Sequence, residues 1–184
     1  TDVLMHYNVN TEAPNTASRR STLLAWDARQ AAADLLGADP DEIAFGNNMT
    51  SMAVLLSRGL VHEIKTGDEI VLSHMEHDAN VGPWVLMAEE DGATVRWIDI
   101  DPDTYAIDVE NAKEKINANT KVVAVSYAGN GTGSINDIAA IIDLAKKQGA
   151  WTFIDAVQYA PHGLIDVKAL DCDFLSCSAY KFYG

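Results

Sequence analysis

Long apolar runs are missing from this 184-residue chain, and no segment reads as a membrane span. Basic residues are scarce: 13 Lys and Arg against 27 Asp and Glu leave a formal net charge of −14. A surface that tracks nucleic-acid phosphates needs clustered cations, so nucleic acid is not an expected partner. Only two cysteines occur, Cys172 and Cys177, and no CxxC pair, which disfavours a thiolate zinc site. Both are expected on one strand, five residues apart; they then face opposite sides and do not bridge. Two reduced cysteines suggest a reducing compartment, the cytoplasm. An initiator methionine is also missing, which leaves room for residues upstream of Thr1. The first residues lack the basic start and apolar core of a signal peptide.

What is present is ordinary globular material, 48% hydrophobic and 22% charged, long enough for one domain with a full core. Short β patterns alternate with helical ones. That order predicts an α/β fold: a mostly parallel sheet with helices on both faces. Strands are expected at Ile43–Gly46, Glu69–Ser73, Thr94–Ile100, Lys121–Ala128, Trp151–Val157 and Asp173–Ser178. Leu24, Ala28, Ala31, Ala32 and Leu35 share one face of a helix that stops at Gly37. Ile138, Ile141, Ile142 and Ala145 form a second stripe, with Gly149 just past its end. Met49–Leu60, Asn80–Glu90 and Asp108–Asn117 complete the helices.

In doubly wound sheets, ligands gather beyond the C-terminal ends of the strands, and the polar motifs fall there. Gly46-Asn47-Asn48-Met49-Thr50-Ser51 joins a strand to a helix and offers backbone N–H groups and hydroxyls to an anion. Ordinary N-capping reads the same residues. Ser73-His74-Met75-Glu76-His77-Asp78-Ala79-Asn80 carries two histidines and two carboxylates. The spacing does not match HExxH, so a metal is disfavoured. His77 stacked on a flat ring, or a polar loop capping a helix, are the alternatives. Ala128-Gly129-Asn130-Gly131-Thr132-Gly133-Ser134 allows close backbone approach but lacks GxGxxG spacing, which disfavours a dinucleotide fold or nucleotide-binding module.

Asp155 ends one strand, with Gln158 a turn beyond it, and Lys181 follows another strand and a short polar stretch. A lysine for a Schiff base and an aspartate for a pyridinium nitrogen are what pyridoxal phosphate requires of a protein. Such a lysine calls for a partly desolvated site. Read singly, Asp155 is equally a turn cap, Gln158 an exposed amide and Lys181 a solvated surface group.

In order, Phe45–Ser51, Met75–Asn80, Ser126–Gly133, Asp155–Gln158 and Ser178–Lys181 resemble the class V aminotransferase family of fold type I pyridoxal-phosphate enzymes, in its cysteine desulfurase-like branch. The match covers residues 40 to 184. The resemblance implies a pyridoxal-phosphate-dependent transferase-like large domain over residues 1–184, incomplete at its C-terminus and without the small C-terminal domain. It implies that Lys181 forms the internal aldimine and shuttles protons. Asp155 would pair with the pyridine nitrogen, and His77 would stack on the ring. Gln158 and Asn130 would flank the phenolic side; Thr50, Ser178 and the Met49 backbone would hold the phosphate. An amino-acid substrate and a homodimer follow from the same resemblance. Desulfuration, transamination and β-elimination all stay open.

The chain also departs from the family's pattern. Tyr180 stands where His often precedes the lysine; a phenol can donate to phosphate but cannot become cationic. Asp78 stands where desulfurases often carry a second His. Neither Cys172 nor Cys177 matches the desulfurase nucleophile, and the arginine for the substrate carboxylate should lie further on. The family's next strand would return antiparallel beside Ile43–Gly46. Without it the chain reads as a fragment of a longer enzyme or a shortened relative. A catalytically silent fold remnant that dimerises or binds a partner is the alternative.

Overall fold

The computed structural model describes residues 2–182. They divide into two compact units: residues up to Phe45 with Leu164–Lys168, and Gly46–Gly163 with the residues from Ala169 onward.

The first unit is built on α2 (Thr16–Leu36), preceded by the short α1 (Asp2–His6). Asn15 caps α2, its Oδ1 accepting the Ser18 N–H at 2.9 Å. Gly37 ends it at φ +67°, a left-handed position that glycine occupies without strain. The apolar face expected on α2 is largely open to water: Leu24, Ala28, Ala31 and Leu35 are exposed, Ala32 is half-buried, and the buried residues of the helix are Ser18 and Ala33. An apolar stripe records a surface suited to burial but not what covers it. Ile43–Gly46 is likewise no strand; it pairs with no described strand, and Phe45 is exposed. Strand structure needs a hydrogen-bonding neighbour, which β propensity alone does not supply.

The second unit holds a five-stranded sheet, all parallel, in the order β2-β1-β3-β4-β5: β1 (Glu69–Ser73), β2 (Thr94–Ile98), β3 (Thr120–Ser126), β4 (Trp151–Asp155) and β5 (Phe174–Ser176). Side chains alternate between two cores, as the strand period of two requires. On one face Ile70, Leu72, Val122, Ala124 and Phe153 pack against α3 (Met49–Leu60) and α4 (Gly82–Asp91) through Ala53, Trp84 and Met87. On the other, Val71, Val123, Val125 and Ile154 meet α5 (Val109–Lys115) and α6 (Ile138–Lys147) through Ala112, Ile138, Ile141 and Ala145. Each large side chain removed from water in this way contributes about 1.5–3 kcal/mol. The α/β class and helices on both faces are therefore as the sequence implies. The expected strands at 94–100, 121–128, 151–157 and 173–178 end two residues earlier in the structure, because their last residues turn into loops beyond the ladder.

Candidate active site

The C-terminal ends of the central strands, the start of α3 and the residues after β5 surround one open cleft. Met49, Thr50, His77, Asn130, Asp155, Gln158, Ser178, Tyr180 and Lys181 all line it. These are the nine residues singled out from the sequence, contributed by five separate segments. Ser126, Ala128, Ala79 and Val157 complete the lining and were not assigned roles. Ser126 is the last residue of β3, a position that points to the cleft by topology alone.

The start of α3 is specified locally and across the fold. Asn48 Oδ1 accepts the Ser51 N–H at 2.9 Å. Met49 N–H donates to Ser178 Oγ at 3.0 Å, a buried bond across 129 residues. Of the three groups expected to serve an anion, two, the Met49 amide and the Ser178 hydroxyl, are thus bonded to each other. Neither the Thr50 N–H nor its hydroxyl has a protein partner among the described residues. Thr50 therefore offers free donors at the positive end of a three-turn helix.

Asp155 closes β4 with only 5% of its surface exposed. Its Oδ1 accepts the Val157 N–H at 2.9 Å, and no donor meets its second oxygen among the described residues. Burial raises its pKa, opposed by the Val157 N–H and by His77. His77 caps the short 3₁₀ turn Asp78–Asn80: its Nδ1 accepts the Ala79 N–H at 3.1 Å, which leaves the proton of the neutral ring on Nε2.

Lys181 closes a 3₁₀ turn over Ala179–Lys181, its N–H donating to Ser178 O at 2.9 Å. Its ammonium lies over the Tyr180 ring, 5.8 Å from the centroid, and makes no ion pair among the described residues. Its side chain is exposed, so the desolvation expected of it from sequence is not seen. Tyr180 is 63% exposed. Asn130 sits on a tight loop in which Gly129 N–H donates to Ser134 O at 3.0 Å. A Cβ at Gly129 would meet Thr132 Oγ1 at 2.4 Å and Met75 Sδ at 3.1 Å, so a larger residue there would have to push the Thr132 side chain aside.

The segment with the metal-like look is organised otherwise. No group of three or more potential ligands stands together among the described residues. Glu76, which received no role from sequence, instead accepts four hydrogen bonds: from Ser73 Oγ (2.5 Å), Ser126 N (2.9 Å), Asn80 Nδ2 (2.7 Å) and Ser126 Oγ (2.6 Å). The cysteines are poorly disposed to ionise. Burial pushes the Cys172 thiol up to about 11 and raises that of Cys177, the latter helped by the charge of Asp155. No described helix is long and apolar enough to cross a membrane.

A parallel sheet with a polar cleft at its C-terminal edge, lined by an aspartate, a lysine and a helix N-terminus, defines an α/β domain of the parallel-sheet class. Comparison with known proteins gives the family. The model of the aminotransferase class-V family matches residues 1–184, and the chain belongs to that family. It is 36% identical over 186 residues to the aminotransferase-like protein FGM3 of Gibberella zeae, covering 100% of this chain and 46% of that protein. It is 34% identical over 173 residues to a probable cysteine desulfurase of Pseudomonas aeruginosa, covering 94% of this chain and 43% of the relative. The apo structure of a cysteine desulfurase from Thermococcus onnurineus NA1 superposes with a TM-score of 0.92 at 32% identity, over 98% of this chain and 45% of that one. The chain thus spans less than half the length of these relatives.

Proposed function

We propose that this chain is part of the large domain of a pyridoxal 5′-phosphate enzyme acting on a small amino acid. The observation that carries the reading is the gathering of Asp155, Lys181 and Thr50 around one cleft, each with a polar group unmatched among the described residues. They suit the cofactor's parts: an acceptor for the ring N–H, an amine for its carbonyl, and helix donors for its phosphate. When bound, pyridoxal phosphate would supply an electron sink for bonds breaking at the substrate's Cα or Cβ.

The residues' own tasks follow from their chemistry. The Asp155 carboxylate would keep a proton on the ring nitrogen, and that cation would in turn offset the burial that raises its pKa. Lys181 Nζ would hold the cofactor and carry a proton to and from the substrate's α-carbon. The imidazole of His77 would cover one face of the ring, and Gln158 and Asn130 would bond its phenolic oxygen. Thr50, Ser178 and Tyr180 would bind phosphate, with the Met49 amide acting through Ser178. Two relatives bear the name cysteine desulfurase, which makes cysteine the first substrate to test. Cys172 and Cys177, with raised pKa values, are unsuited to receive its sulfur, so an acceptor thiol would come from elsewhere. The same reading carries a homodimer and a cytoplasmic setting.

The experiment is a titration of Asp155→Ala and Gln158→Ala with pyridoxal 5′-phosphate, followed by absorbance. Asp155→Ala should weaken binding by about tenfold or more, since one lost charge-assisted bond is worth roughly 1.5–3 kcal/mol. Gln158→Ala should weaken it less. Equal and negligible effects would contradict the assignment.

A further inference from the structure

The four bonds received by Glu76 form part of a longer chain. Ser73 ends β1 and Ser126 ends β3, and the carboxylate ties both to Asn80. Asn80 is fully buried; its Oδ1 accepts from Trp84 Nε1 at 3.0 Å, and its backbone N–H donates to His77 O at 2.7 Å. The turn that orients the His77 ring through the Ala79 N–H is therefore closed by a residue that Glu76 grips. Ser126, gripped from the other side, lines the cleft itself.

We propose that Glu76 is a positioning residue: its carboxylate clamps the ends of β1 and β3 to the Asp78–Asn80 turn and so fixes the orientation of His77 and Ser126 in the wall of the cleft. The clamp stands on bonding geometry alone; that the ring beside His77 belongs to pyridoxal phosphate rests on the reading above.

The choice of residue follows from the donors. Two of the four, the Ser126 N–H and Asn80 Nδ2, cannot reverse into acceptors: one is backbone, and the other's amide oxygen is engaged by Trp84. They fall on different oxygens of Glu76. A glutamine there must turn its own NH₂ toward one of them, whichever way its amide is rotated. Glu76→Gln, nearly the same in volume, thus opens one arm of the clamp and loosens the turn beneath His77.

The decisive readout needs no bound cofactor. Side-chain ¹⁵N NMR of the whole chain, with His77 assigned through a His77→Gln variant, reports its tautomer. The wild type should show His77 with its proton on Nε2. Glu76→Gln should give a mixture of tautomers, with the far-ultraviolet circular dichroism unchanged. Ser73→Ala removes one donor to Glu76 without touching the cleft, and should shift the mixture the same way by less; it decides the matter if Glu76→Gln does not fold. An unaltered His77 tautomer in the folded variants would overturn the proposal. Added pyridoxal 5′-phosphate should bind Glu76→Gln about tenfold more weakly than wild type. If the wild type binds none, the cofactor reading falls while the tautomer result still decides the clamp.

Discussion

Asp155 and Glu76 are both carboxylates raised in pKa by burial, yet they are held in different ways. Asp155 has one hydrogen bond and an oxygen left over, as a group awaiting a ligand would. Glu76 has both oxygens engaged by protein groups, two of them hydroxyls that can donate or accept, as a structural clamp would. Burial still pushes the Glu76 carboxyl up to about 7, against the pull of Ser126, Ser73 and Asn80. The folded chain then holds this proton more tightly than the unfolded chain does. Its stabilising contribution is full below the ordinary carboxylate range and is lost as pH rises through about 7. The groups that bond it from β1, β3 and the turn, Ser73, Ser126 and Asn80, are neutral. The stability difference, wild type minus Glu76→Gln, should therefore fall between pH 5 and pH 8, by up to about 3 kcal/mol. Urea melts at several pH values check this, and a difference that rises with pH would contradict it.

At the scale of elements, α3 shows how local and distant specification meet. Its bounds, Met49–Leu60, agree with the sequence pattern, and its cap by Asn48 is a sequence-local feature. The acceptor for the Met49 N–H is Ser178, which no local pattern connects to it. Ser178→Ala leaves that buried amide without its partner and should cost about 1–3 kcal/mol in denaturant melts; no loss would mean water or another group replaces the hydroxyl. The same division governs what could be read from sequence. β1 was legible to the residue because its apolar run is bounded by turn residues. Asp155 at the end of one strand and Lys181 after another were singled out by position, and both line the cleft. Ile43–Gly46 reads as a strand only in its composition, since pairing is a property of two segments. His77 does cap the turn at Asp78–Asn80, as one sequence reading has it, but the bonds that Glu76 accepts from Ser126 span 50 positions and have no local signature. On α2, the apolar stripe was visible but its exposure was not.

At the scale of the whole molecule, the excess of acid, −14, contrasts with a cleft that carries one lysine and a helix N-terminus as its attractions for an anion. Such a local field can hold a phosphate against the net charge, because charges beyond about 8–10 Å are largely screened at physiological salt. All nine expected site residues lie in the second compact unit, around a single cleft, although the chain spans only 43–46% of its sequence relatives. Whether these residues act together is the central claim, and covalent capture tests it most directly. Pyridoxal 5′-phosphate would be added to the purified chain, its absorbance recorded, the mixture reduced with borohydride, and the peptides mapped by mass. The account predicts a yellow protein whose adduct is confined to Lys181 and disappears in Lys181→Ala. Adducts scattered over surface lysines, or none, would contradict it.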